Sequence, residues 1–212
     1  QTGQRRDPRS DQRWTDEFLE GFFRLTAAAK VVLAGGDTGS SAGGFLADVV
    51  VVGDVPRGQA ILRSGARAGD EIWVTGVLGT AALGLAILKR GRKLPRSHAA
   101  FQAFCYPEPR LEIGQSLLRR KFASAMIDLS DGLSIDLARL CEASGVGARL
   151  DAAILPRLAQ TPLHDALHGG EDLELLFTVP PKRSHQLPRS IGGIPLTRFG
   201  QIISERKLWL IQ

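Results

Sequence analysis

The sequence predicts an α/β (α+β) fold, and three observations carry that expectation. Short apolar runs that fit buried strands, such as Ala125 to Ile127 and Leu173 to Val179, alternate with stretches of helical apolar spacing. Glycine turns such as Gly76-Val77-Leu78-Gly79 separate the two kinds of element. The 212 residues, with 43% hydrophobic content, suffice to bury a substantial core in one large or two small domains.

Residues Gln1 to Arg13 mix four arginines with Asp7, Asp11 and Pro8 and show no apolar period, which reads as a flexible lead-in over 1–14. A helix is expected from Thr15, which can cap it, with Phe18, Leu19, Phe22, Phe23 and Leu25 on its apolar face. Val31 to Ala34 fits a short buried strand running into Gly35-Gly36-Asp37-Thr38. The glycines of that turn let backbone N–H groups approach a phosphate, and Asp37 can ligate its metal; a plain turn explains the residues equally. Ser40 to Gly44 reads as a small-residue loop, and valine-rich Leu46 to Val52 as a strand covered on both faces, ended by Gly53-Asp54-Val55-Pro56.

Glu71 to Thr75 alternates as a strand does, and the glycine turn after it opens an Ala-Leu-rich helix from Thr80 to about Lys89. Gly91 to His98 is a basic loop; Pro107 and Pro109 then fix an extended connection to a helix starting near Leu111, and Arg110 beside them reads as part of a rigid loop with no ligand.

The centre of the chain is Ser124 to Gly145. A strand from Ala125 leads through a turn into a helix whose Leu133, Leu137, Leu140 and Cys141 recur at helical spacing until Gly145 offers a C-cap. The turn sets Asp128, Ser130 and Asp131 where two carboxylates and a hydroxyl can converge on a hard divalent cation, or on a phosphate carried by one. Ser130 or Asp131 can instead simply cap the helix. Beyond it, Gly147 to Leu150 suggests a strand and Asp151 to Leu167 a Pro-punctuated passage of weak periodicity. His164 and His168, four apart, can face one another as half of a zinc site that has no third ligand nearby. The strand to Val179 stops at Pro180-Pro181; the chain is then basic and loop-like before Thr197 to Ile203 and Lys207 to Ile211, a final pair of strands.

Composition narrows the function classes. No stretch reaches the roughly 20 apolar residues that span a bilayer and the start has no apolar signal region, so the expectation is a cytoplasmic protein without membrane contact. A net charge of +5 is spread along the chain with only 6% aromatics, which fits solubility or attraction to anionic nucleotides rather than nucleic-acid binding. Cys105 and Cys141 lack metal-type spacing and read as free thiols. Neither a Ser-His-Asp set nor a Walker-type loop is present.

The segment MIDLSDGLSIDLARL resembles the Asp-hydrophobic-Ser-Asp-Gly-Leu stretch of thiamine-monophosphate kinases, members of the ATP-binding superfamily that also holds aminoimidazole ribonucleotide synthetase and selenophosphate synthetase. Five further motifs follow that family's order: Gly-Gly-Asp-Thr at 35–38, Arg-Ser-Gly-Ala at 63–66, Val-Thr-Gly at 74–76, Tyr-Pro-x-Pro-Arg at 106–110 and Gly-Gly-Glu-Asp at 169–172. The resemblance spans roughly Thr15 to Ile203. It implies the end of an N-terminal ATP-binding domain over 15–57 and a C-terminal α/β domain over 58–212. It implies contacts to ATP from Gly36, Asp37, Arg63 and Ser130, and magnesium held by Asp37, Asp128 and Asp131. Glu171 would meet thiamine monophosphate, where a carboxylate suits a cationic thiazolium. Taken alone, Arg63 is a surface charge and Glu171 a turn residue.

The family transfers the γ-phosphoryl group of ATP to thiamine monophosphate. The acceptor oxygen is already ionised near neutral pH, so positioning and charge neutralisation suffice and no catalytic side chain is assigned. The family is dimeric through its first domain, which makes a homodimer one open state. Thr80 stands where members often carry Asp, and Leu173 where Tyr is usual. The family's Gly-Asp-Asp magnesium segment is not found before Thr15, nor its late substrate-packing aromatic at the other end, so impaired turnover is expected. A non-catalytic nucleotide-binding or interaction module and a related ATP-dependent synthetase stand as alternatives.

Overall fold

In the computed structural model, described over residues 8–41 and 44–211, the chain divides into two compact units, Gln1–Gly53 and Asp54–Gln212. The expected lead-in as far as Asp7, and part of the Ser40 to Gly44 loop, lie outside the described residues.

The first unit holds α1 (Pro8–Ala29), which begins ahead of the expected Thr15 cap and encloses that residue. Ion pairs one turn apart, Arg13–Glu17 at 2.8 Å and Arg24–Glu20 at 3.0 Å, favour the helix over the lead-in expected there. Trp14, Phe18 and Phe22 stack in succession with ring centroids 5.4 and 6.4 Å apart, and Trp14 also stacks on Phe45 at 3.9 Å. The strands expected at Val31 to Ala34 and Leu46 to Val52 do not form. Valine gives these stretches β-propensity, but a strand also needs a neighbouring strand to pair with, and among the described residues neither segment has one. Val32, Leu46, Val50 and Val52 are instead 83–88% exposed.

The second unit combines helices with a mixed sheet, the α/β architecture the sequence predicts. Its elements are β1 (Glu71–Thr75), α2 (Thr80–Lys89), α3 (Ala99–Cys105), α4 (Leu111–Arg119), β2 (Ala125–Leu129), α5 (Leu133–Ser144), β3 (Gly147–Asp151), α6 (Leu163–His168), β4 (Glu174–Val179), α7 (Pro181–Ser184), β5 (Ser190–Ile191), β6 (Ile194–Ile203) and β7 (Leu208–Ile211). The sheet runs β2-β4-β1-β6-β3-β7, with β5 paired to β6; every pair is antiparallel except β3 with β7. The two last strands are therefore not partners, because β3 inserts between them. Two short helices, α3 and α7, arise where none was expected; the His98 ring accepts the Ala100 N–H at 3.2 Å to cap the first.

Side-chain alternation divides the core between the two faces of the sheet. Ile127, Leu129, Ile72, Val74 and Leu176 face Leu133, Leu137 and Leu140 of α5. Trp73, Met126, Phe177 and Val179 face Ile113 and Leu117 of α4. Phe177 and Phe199 are fully buried, each worth ~2–3 kcal/mol of apolar transfer. The register pairs Val74 with Leu176 and Leu129 with Glu174, so the ends of β1 and β2 lie beside the start of β4.

Candidate functional site

The turn between β2 and α5 is built by backbone constraint and one buried carboxylate. Gly132 adopts φ 109°, and a Cβ there would come within 3.0 Å of the Gly169 carbonyl oxygen, so only glycine fits. Neither Ser130 nor Asp131 caps α5. The cap comes from inside the first turn, where Asp136, 1% exposed, accepts the N–H groups of Asp131 at 3.0 Å and Gly132 at 3.1 Å. Arg139 donates to Asp136 at 2.8 Å and also to the Asp131 carboxylate. These hydrogen bonds, that to Asp131 foremost, push the Arg139 guanidinium further up. The Asp131 charge is thereby balanced within the protein.

The loop from Gly169 to Leu173, between α6 and β4, lies against this turn backbone to backbone. Glu171 N–H donates to the Ser130 carbonyl at 2.8 Å and Leu173 N–H to the Leu129 carbonyl at 2.9 Å. Glu171 and Leu173 are both left-handed, with φ 66° and 51°, an arrangement that costs non-glycine residues ~1–2 kcal/mol each. Ser130, Asp131 and Glu171 are thus brought together on two interlocked loops.

Asp128 precedes them on β2 but faces the α4 side of the sheet. Its side chain is exposed and, among the described residues, makes neither hydrogen bond nor ion pair. With Arg110, Met126, Leu173 and Leu175 it lines a groove of about 550 Å³. Arg110 is more than part of a rigid loop: it donates to both oxygens of the buried Glu174 carboxylate, each at 2.7 Å. Those bonds push the guanidinium up against the opposing effect of burial. Thr75 donates its hydroxyl to the same carboxylate and accepts the Leu175 N–H at 2.8 Å, which ties β1 to β4.

Asp172, half-buried, spans from the 169–173 loop to the start of α2. It accepts the N–H of Gly79 at 2.6 Å and of Ala81 at 3.3 Å. Burial pushes its carboxyl up to about 6 from the ordinary 3.8, although these backbone donors pull the other way. Asp136, Arg139, Asp172, Glu174 and Thr75 are the residues sequence reasoning passed over. The partners of Thr75, Asp172 and Glu174 lie 64 to 100 residues away in the chain, and no local pattern announces them.

Arg63 lies in a 3₁₀ turn (Arg63–Gly65) of the second unit with its side chain exposed, while its carbonyl accepts the Ser144 hydroxyl at 2.6 Å. Gly36 and Asp37 belong to the first unit, where Asp37 accepts the Thr38 N–H at 2.8 Å. His164 and His168 do face one another on α6, with ring centroids 5.0 Å apart. Among the described residues no group of three or more His, Cys, Asp or Glu side chains forms a metal-holding cluster. Cys105 and Cys141 are free, and among the described residues no helix is long and apolar enough to cross a membrane.

Residues 67–208 match the family described as AIR synthase related protein, C-terminal domain. Thiamine-monophosphate kinases from Salmonella typhimurium and Buchnera aphidicola subsp. Schizaphis graminum are 39% and 34% identical over 93% and 97% of this chain. The chain spans 64% and 67% of their lengths. The crystal structure of thiamine-monophosphate kinase from Stenotrophomonas maltophilia K279a superposes with a TM-score of 0.66 at 35% identity, over 74% of this chain and 54% of that one. AaThiL, solved as a complex with AMPPCP and TMP, superposes with a TM-score of 0.61 at 30% identity, over 71% of this chain and 50% of that one. Fold, motif order and sequence identity agree: the chain belongs to the thiamine-monophosphate kinase family, and 67–208 is its AIR-synthase-related C-terminal domain.

Proposed function

We propose that the chain takes part in ATP- and magnesium-dependent phosphorylation of thiamine monophosphate to thiamine diphosphate in the cytoplasm. The observation that carries this reading is the interlocking of the 129–132 turn with the 169–173 loop, which gathers Ser130, Asp131 and Glu171. In this reading 15–57 is the end of an ATP-binding domain and 58–212 the second domain. Gly36, Asp37, Arg63 and Ser130 bind ATP, and Glu171 meets the cationic acceptor. The names of the relatives, and the AMPPCP and TMP of the AaThiL complex, support the same substrates.

The donor chemistry fits magnesium: Asp128 offers a carboxylate that has no partner among the described residues, and hard cations take one or two carboxylates alongside substrate phosphates. Asp37, Asp128 and Asp131 would hold it, and bound magnesium supplies neutralisation of charge on the phosphates. The protein's own contribution is orientation. Glu171 faces the acceptor's positive ring, while Arg139 tempers the charge of Asp131 so that anionic phosphates can approach. The acceptor is a phosphate oxygen, so no side chain needs to remove a proton.

The test is ADP release by the purified chain with ATP and magnesium, with and without thiamine monophosphate, comparing wild type with Asp128→Asn. Acceptor-dependent turnover that falls about a hundredfold in the variant is expected, the scale for removing one electrostatic stabiliser. Turnover that ignores thiamine monophosphate, or that the variant retains, refutes the reading. A second reading, a non-catalytic interaction module, draws on the exposed valines of the first unit; nucleotide binding without turnover would favour it.

A further inference from the structure

The 169–173 loop raises a problem of its own: two non-glycine residues in left-handed conformation, Glu171 and Leu173, flank Asp172. Isolated, such a loop would relax toward ordinary backbone angles, and it persists only where its surroundings over-determine it. The hydrogen bonds to Ser130 and Leu129 fix two of its N–H groups on one side. On the other side the fixing contact is the Asp172 side chain, whose two oxygens accept from Gly79 and Ala81.

The start of α2 is made to receive it. Gly79, at φ 72°, has no side chain with which to cap the helix, and a Cβ there would sit 2.6 Å from the Ala166 nitrogen. The helix N-terminus therefore takes its negative partner from 93 residues downstream rather than from its own cap position. Asp172 bonds one way to α2 while its neighbours bond the other way to the β2–α5 turn. A loop clamped on both sides cannot turn Glu171 away from Ser130 without first breaking the Asp172 contact.

We propose that Asp172 is a positioning residue that holds Glu171 in its left-handed conformation against Ser130 and so sets the affinity for a cationic, phosphate-bearing acceptor. The affinity half rests on the phosphotransfer reading; the conformational half does not.

The experiment uses the full 212-residue chain. Asp172→Asn matches the native side chain in shape and keeps one acceptor oxygen, so the fold is retained; Asp172→Ala removes both acceptors and sets the upper limit. Hydrogen exchange read by NMR should speed up about fivefold at the Glu171 and Leu173 amides in Asp172→Asn, the equivalent of losing one of its two hydrogen bonds, and further in Asp172→Ala. The Ile127 and Leu176 amides within the sheet should stay unchanged. In calorimetric titration, thiamine monophosphate should bind about fivefold more weakly to Asp172→Asn while magnesium-ATP affinity is preserved. A merely structural role would weaken both ligands together. Unchanged exchange at Glu171 and Leu173 in both variants overturns the proposal, as does equal loss of both ligands. Faster exchange in a chain whose wild type binds no thiamine monophosphate upholds the conformational half and overturns the phosphotransfer reading instead.

Discussion

Replacing Arg110 with methionine leaves the Glu174 carboxylate almost wholly out of water without its cation. The two side chains are 15% and 5% exposed and joined by two hydrogen bonds of 2.7 Å in the fork geometry that suits a carboxylate. Removing one member of such a buried pair costs ~3–5 kcal/mol, mostly the penalty of the charge left behind. Against a total stability of ~5–15 kcal/mol this is a large share, and at this chain length it corresponds to roughly 10 °C in Tm. Urea denaturation followed by far-UV circular dichroism would measure it. The double variant Arg110→Met/Glu174→Leu should recover most of the loss, since no buried charge remains and Thr75 still receives the Leu175 N–H. A cost below ~1 kcal/mol for Arg110→Met, or a double variant no better than the single, would refute the reasoning.

Asp172 also gives stability a pH dependence. Its carboxyl titrates at about 6 in the folded chain against 3.8 ordinarily, so the folded state keeps a proton that the unfolded state releases between those values. The resulting stabilisation is complete below pH 3.8 and is lost as pH rises through 6; allowing for partial exposure it amounts to ~2 kcal/mol. Urea midpoints measured from pH 4 to pH 7 should show that fall in wild type and not in Asp172→Asn. The thiols should separate by reactivity, because burial pushes Cys141 up to about 11 whereas Cys105 is exposed. One equivalent of a thiol reagent should react promptly with the native chain at pH 8, mass spectrometry placing it on Cys105, and the second only on denaturation.

Local pattern made much of the second unit legible. The β2–turn–α5 element shows its strand, helix spacing and Gly145 terminus directly in the residue order, because each is set by neighbours within a few turns. The same logic misled at Val31 to Ala34 and Leu46 to Val52, where β-branched residues meet the requirement of propensity but not that of pairing. It also misled at the α5 cap, which Asp136 supplies from within the helix. At the candidate site, motif residues such as Ser130, Asp131 and Glu171 were identifiable, but the groups that hold them were not. Arg110 to Glu174 and Asp172 to Gly79 join loops and element ends far apart in the chain, pairings chosen by topology rather than by spacing.

The sheet order has a consequence for how the molecule comes into being. Strand β1 ends at Thr75, yet its two neighbours begin only at Glu174 (β4) and Ile194 (β6). Until synthesis has passed Val179, β1 has no ladder to join, Thr75 no carboxylate to meet, and α2 no anion at its start. Folding of the second unit is therefore a concerted event with a high loop-closure cost, and from the synthesis of Thr75 until that of Val179 β1 stays an uncovered apolar edge, the interval in which a chaperone has most to protect.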